Sequence, residues 1–85
     1  MDLAVERQAL KKLAKMPPKL AQAFREGLKR IAADPFAAHR NVERLKGRKD
    51  AFRFRVGDFR ALYRIDRDRN LMIVEIVAAR GDAYK

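Results

Sequence analysis

The stretch Phe52–Asp66, FRFRVGDFRALYRID, admits few folds. Phe52, Phe54 and Val56 alternate with Arg53 and Arg55, the period-two pattern of a strand with one buried face. Gly57-Asp58 follows as a two-residue turn signal with glycine first, suited to a type I′ or II′ hairpin. A turn at 57–58 sets Val56 against Phe59, Arg55 against Arg60, Arg53 against Leu62 and Phe52 against Tyr63. Phe52, Phe54, Val56, Phe59, Ala61, Tyr63 and Ile65 then share one face. Arg53, Arg55, Arg60 and Arg64 share the other, joined only by Leu62. Like charges directly opposite one another destabilise a ladder, so Arg55 against Arg60 is a costly choice for a surface that only holds the sheet. An anion on that face accounts for it.

An apolar hairpin face needs a second layer, and the preceding residues supply one. Leu3-Ala4-Val5 reads as a short first strand. Glu6 to Met16 reads as a helix with an apolar stripe of Ala9, Leu10, Leu13 and Ala14, leaving Lys11, Lys12 and Lys15 outside it. Pro17-Pro18 stops that helix and opens the next. Leu20, Phe24, Leu28 and Ile31 keep helical spacing through Ala33, with Gly27 on the same stripe, where a missing side chain lets the neighbouring helix approach. Asp34-Pro35 ends the helix, because a residue before proline avoids the helical region.

Residues 35–51 show no clear period; Phe36, Val42 and Leu45 are expected to pin this connection to the core, and Lys46-Gly47-Arg48-Lys49-Asp50 to form a polar turn. Asp66 to Asn70 forms another turn. Leu71 to Ala79, LMIVEIVAA, is nearly continuous aliphatic sequence, as in a strand covered on both faces. The expected architecture is a single α+β domain over residues 1–85 in two layers. An antiparallel helical hairpin packs on a mostly antiparallel four-stranded sheet, in the order β-α-α-β-β-β.

Composition narrows the class of partner. With 48% hydrophobic and 38% charged residues, the chain has the apolar content that disordered chains lack. A net charge of +10 calls for an anionic partner: nucleic acid, a membrane surface or an acidic protein. No apolar run approaches membrane-spanning length, and the charged start has no signal-peptide core, so a cytoplasmic protein without membrane contact is expected. Cysteine is absent, His39 stands alone and the carboxylates show no ligand spacing. No metal and no cofactor are expected.

At this point the residues resemble a known family. RLKGRKDAFRFRVGDFRALYRID, followed by an aliphatic strand and an Arg-x-x-x-Tyr ending, is similar to the RelE/ParE superfamily of toxins from bacterial type II toxin–antitoxin modules. The likeness spans essentially the whole chain and includes the Leu45 to Gly47 segment before the long strand. RelE-like members are ribosome-dependent endoribonucleases that cut mRNA in the decoding site; ParE-like members use the same scaffold to poison DNA gyrase. The resemblance favours the RelE-like branch. It implies that Arg53, Arg55 and Arg60 contact the scissile phosphate region, and that Arg80 and Tyr84 complete the site. The first two positions are commonly lysine in the best-known branch and are arginine here.

Such a set suits RNA cleavage. The substrate carries its own nucleophile, the 2′-hydroxyl, so the protein has to position it and stabilise charge on the phosphate. Arginine forks bind phosphate oxygens in two places at once. Arginine also keeps its proton, which makes Arg53 and Arg55 poor general bases and assigns them to charge stabilisation and orientation. Tyr84 stacks on a base or relays a proton. Lys11, Lys12, Lys15, Lys46, Arg48, Lys49 and Arg64 are candidate contacts to RNA or the ribosome. Taken alone, alternating arginines are an ordinary solvated sheet face and the lysines an ordinary solvated helix face. Five matched positions in one order point instead to a site.

The expected function is a type II toxin acting as a metal-independent, ribosome-dependent mRNA endoribonuclease. The alternatives are a ParE-like gyrase inhibitor without catalysis of its own, and a basic binding module or inactive homologue. The resemblance further implies a cognate acidic antitoxin, beside the ribosome and mRNA. Residues 44–69 carry ten Lys or Arg against four Asp, a surface to which an acidic segment would be steered and on which it would fold.

Overall fold

β1 (Asp2–Val5) leads into α1 (Arg7–Lys15), and the proline pair starts α2 (Pro18–Ala33). Four strands follow: β2 (Val42–Arg44), β3 (Ala51–Val56), β4 (Phe59–Asp66) and β5 (Leu71–Ala79). The structure, a computed structural model, describes residues 1–79. The strands form one sheet in the order β1-β5-β4-β3-β2. β1 runs parallel to β5, and the other neighbouring pairs are antiparallel.

The α+β class and the two layers are as expected, but the sheet has five strands rather than four. The added strand is β2, in the segment that shows no period. Val42, Glu43 and Arg44 pair with Phe54, Arg53 and Phe52 of β3. A three-residue strand is too short for alternation to show in sequence.

The hairpin forms in the expected register, with Arg55 opposite Arg60 and Val56 opposite Phe59. Gly57 has φ +56 while Asp58 is not among the positive-φ residues, which selects the II′ turn over I′. Pro18 occupies the first turn of α2, where its missing N–H costs nothing.

The core lies between the helices and one face of the sheet. Phe24, Leu28 and Ile31 of α2 are buried with Phe52, Phe54, Ala61, Tyr63 and Ile65 of the hairpin and Met72, Val74 and Val77 of β5. Phe24 meets Phe54 edge-on (centroids 5.7 Å apart), and Phe52 stacks on Tyr63 at 5.2 Å. Each such ring contributes ~1.5–3 kcal/mol by leaving water. Gly27 makes room for a ring and not for a neighbouring helix. A Cβ there would lie 2.7 Å from Phe54 Cε2 and closer still to Cζ.

Two further expectations need correction. The buried line of α1 is Ala9 and Leu13, continued by Met16, while Leu10 is 54% exposed and Ala14 is exposed. The i, i+4, i+7 line meets β5, which α1 packs against, and Leu10 is turned away. Phe36 is 47% exposed and serves as a platform for the Arg67 guanidinium, 4.1 Å above its ring centroid. In β5 the pairing shifts between Leu62 and Tyr63 of β4, so that Leu62 faces Ile76 and Tyr63 faces Val74. Glu75 is therefore an extra residue in a bulge. The bulge changes the phase of the strand, turning Val77 into the core and Ile76 outward.

Candidate nucleic-acid interface

Strand alternation places Arg53, Arg55, Arg60 and Arg64 on the sheet face away from the helices. They sit differently there. Arg55 is exposed and makes no side-chain hydrogen bond or ion pair among the described residues. Arg53 and Arg60 are half-buried. The Arg53 guanidinium donates through Nη2 to Oε2 of Glu43, its direct cross-strand partner on β2.

Two hollows open on this face, and Arg55 lines both. One is bounded by Asn41, Glu43, Arg53 and Arg55. The other is bounded by Arg55, Gly57, Asp58 and Arg60 at the hairpin end. Asn41 has φ +64 and its carbonyl accepts the Arg55 backbone N–H at 3.0 Å, which ties the loop before β2 to the arginine strand. The structure thus brings Arg53, Arg55 and Arg60 together. Arg80 and Tyr84 lie outside the described residues.

The remaining basic candidates are dispersed. Arg64 Nε donates to Glu75 Oε2 at 3.2 Å, and Arg48 Nη2 donates to Glu75 Oε1 at 3.0 Å. The bulged glutamate therefore offsets two of the cations. Lys46 and Lys49 are exposed in the turn before β3. Lys11 and Lys15 are exposed and Lys12 is half-buried, all on α1, in the layer opposite the arginines.

A second ionic centre braces the far end of the hairpin. Asp50 is only 3% exposed and accepts two bonds from Arg67, Nε to Oδ2 at 2.7 Å and Nη2 to Oδ1 at 3.0 Å. The Arg67 hydrogen bonds hold the Asp50 carboxyl below its ordinary value, against the opposing effect of burial, with Lys49 and Arg44 adding to the lowering. His39 donates through Nε2 to the Asp34 carbonyl at 2.6 Å. Among the described residues no three His, Cys, Asp or Glu side chains gather closely enough to hold a metal ion.

Sequence reasoning missed Glu43 and Asn41 in this face, and also Glu75. Glu43 can be placed opposite Arg53 only once β2 is known to be a strand, and Glu75 only once the bulge is seen.

Fold and face together define a small two-layer α+β domain with an arginine-lined sheet. The family model of the ParE toxin of the type II toxin–antitoxin system parDE matches residues 3–83. The chain belongs to that toxin family, within the RelE/ParE superfamily. A Methanocaldococcus jannaschii protein bearing the name toxin RelE1 is 28% identical over 85 residues, covering 99% of this chain and 94% of that protein. The RelBE2 toxin–antitoxin complex of Mycobacterium tuberculosis includes a chain 27% identical, with a TM-score of 0.73 and coverage of 93% and 96%. The isolated Escherichia coli RelE toxin shares the fold, with a TM-score of 0.81 at 18% identity, covering 98% of this chain and 89% of that one.

Proposed function

We propose that this toxin stops translation by cutting mRNA on the ribosome, using the substrate's 2′-hydroxyl and no metal. The observation that carries this reading is the cross-strand pair of Arg55 and Arg60 on an open face. Two guanidinium groups held opposite one another lower the stability of a bare sheet, but together they suit the extra negative charge of a phosphate under attack. Arg53 lies beside them. Arg80 and Tyr84 are proposed to complete the site, with Tyr84 stacking on a base. Lys11, Lys12, Lys15, Lys46, Arg48, Lys49 and Arg64 are proposed to hold RNA more diffusely. No ordinary base acts among the arginines, so the ribosome is assigned the task of fixing the substrate's conformation.

A gyrase-directed inhibitor is the second reading, favoured by the match to the ParE family over residues 3–83. Toeprinting of mRNA on programmed ribosomes separates the two. New stops in the decoding site with this protein, together with unchanged gyrase supercoiling, support mRNA cleavage. Inhibited supercoiling with intact mRNA supports the other reading.

The proposed cellular partner is an acidic antitoxin. The RelBE2 structure from M. tuberculosis, whose toxin-like chain is 27% identical, is a toxin–antitoxin complex, and the +10 charge of this chain gives an acidic partner a physical basis. Binding is expected to weaken as salt rises.

A further inference from the structure

We propose that the Phe36–Arg67 stack is a binding site for one unpaired nucleobase of single-stranded RNA, separate from the arginine face. Asp50 precedes β3 and Arg67 follows β4, so this centre lies about 20 Å of strand away from the Gly57-Asp58 turn. The inference goes beyond the cleavage reading. Its test involves no cutting, so either can fail without the other.

Arg67 is held more firmly than an exposed arginine ordinarily is. It donates through Nε and Nη2 to the two oxygens of Asp50, a fork that sets the plane of the guanidinium. Asp50 is itself 3% exposed, and its carbonyl accepts the Ile65 N–H at 2.9 Å. Phe36 covers one side of the guanidinium, with its ring centroid 4.1 Å from Cζ. The Arg67 side chain is nonetheless 55% exposed, which leaves the opposite side open to solvent. Unpaired bases stack on guanidinium planes of this kind. Here the plane is fixed before anything binds, so little freedom is lost when a flat group settles on it. The surface position of Phe36, which packing does not explain, serves to back that platform.

The charge around Arg67 selects a base over a phosphate. The hollow beside it is lined by Lys49, Arg64 and Arg67 and by Asp50, Asp66 and Asp68. Three cations meet three carboxylates there, so the hollow is neutral as a whole. In the hairpin-end hollow, by contrast, Arg55 and Arg60 face Asp58 alone. The Arg67 fork that would grip a phosphate is already filled by Asp50. A nucleobase is uncharged and carries donors and acceptors on its edges, which the exposed Lys49 and Asp68 can meet. Its flanking phosphates find cations at the same end of the domain. Arg44 and Lys49 lie near enough to act on the Asp50 carboxyl, and Arg69 is exposed in the turn after β4. Net charge draws the strand in, and the stack then holds one base.

The test is fluorescence anisotropy of the full chain with two probes: a short unstructured RNA, and a ribose-phosphate chain of the same length without bases. Wild type is expected to bind the base-bearing RNA more tightly. Arg67→Lys keeps the charge and a partner for Asp50 but loses the plane. It should weaken binding of the base-bearing RNA about fivefold or more, with abasic affinity and salt dependence at the wild-type level. Phe36→Leu leaves the Asp50–Arg67 pair in place, so it serves even where the lysine variant does not fold, and it should cost about threefold or more. Urea unfolding identifies the folded variants. A folded variant of either kind that binds base-bearing RNA within about twofold of wild type overturns the proposal. Equal losses on both probes also overturn it, since they would mean diffuse charge. A loss confined to binding of the antitoxin overturns it as well, and would make the platform a seat for a protein side chain.

Discussion

Arg55 of β3 and Arg60 of β4 are direct partners across the hairpin ladder, a like-charged pair at the mouth of an arginine-lined hollow. Replacing Arg55 by threonine removes the repulsion and adds a strand-favouring side chain. Arg55→Thr should raise stability by ~0.2–1 kcal/mol in urea unfolding. Polyphosphate should raise the unfolding midpoint of the wild type more than that of the variant, because an anion bound only by the native state stabilises it by mass action.

Gly27 of α2 touches the ring of Phe54, so Gly27→Ala sets two effects against each other. Alanine favours helix by ~1 kcal/mol over glycine. Overpacking a filled core costs ~1–3 kcal/mol, and here the obstacle is a buried ring that also packs edge-on against Phe24. Net destabilisation of ~1–2 kcal/mol is expected from denaturant midpoints. A shorter side chain at the obstacle, in the double variant Gly27→Ala with Phe54→Leu, should be less destabilised than the sum of the two single changes. Additive losses would show that the ring is not the obstacle.

Stability should fall at both ends of the pH range for different reasons. The Asp50 carboxyl is lowered from 3.8 in the native state by Arg67. Its contribution is therefore present above 3.8 and is lost as pH falls through the lower native value. Asp50→Asn should flatten that acid limb. Tyr63 runs the other way. Burial pushes its hydroxyl from 10.0 to about 12, so the unfolded chain ionises first and stability drops as pH rises from 10.0 to about 12. The rise corresponds to ~3 kcal/mol at most. Tyr63 Oη has no hydrogen-bond partner among the described residues. Tyr63→Phe should thus remove the alkaline limb while changing stability little at neutral pH. Denaturation midpoints across pH for both variants check these signs.

How much of this was legible in the sequence depended on whether a local rule fixed the geometry. Gly57-Asp58 permits only a tight turn, so the Arg55–Arg60 pairing and the core face of the hairpin follow from spacing alone. LMIVEIVAA is apolar at nearly every position and carries no phase, so the bulge at Glu75 leaves no trace in it. Val42–Arg44 is too short to alternate, and its pairing is set by β3. The ion pairs of Arg53, Arg64 and Arg48 depend on those two hidden features, which is why Glu43 and Glu75 were not read as part of the face. Leu10 and Phe36 are apolar residues left at the surface, which hydrophobic patterning alone cannot distinguish from core.

Focused and diffuse charge should separate in kinetics. Arg60→Ala is expected to lower the cleavage step by ~10²–10³, since it removes a donor from the proposed anion site. Lys11→Ala and Lys15→Ala remove exposed charges on the opposite layer and should weaken ribosome binding in a salt-dependent way, with little change in the step itself. Single-turnover rates at saturating toxin distinguish the two. Equal losses at all three positions would mean a diffuse electrostatic surface in place of a site.

The most direct measurement uses ribosomes programmed with an mRNA that is cut, and the same mRNA carrying a single 2′-deoxy nucleotide at the scissile position. The all-ribose message should be cleaved in the decoding site to a 2′,3′-cyclic or 3′-phosphate end, and the deoxy message should stay intact under the same conditions. Cleavage of the deoxy message at the normal rate would contradict attack by the substrate's own 2′-hydroxyl, and with it the role given to the arginine face.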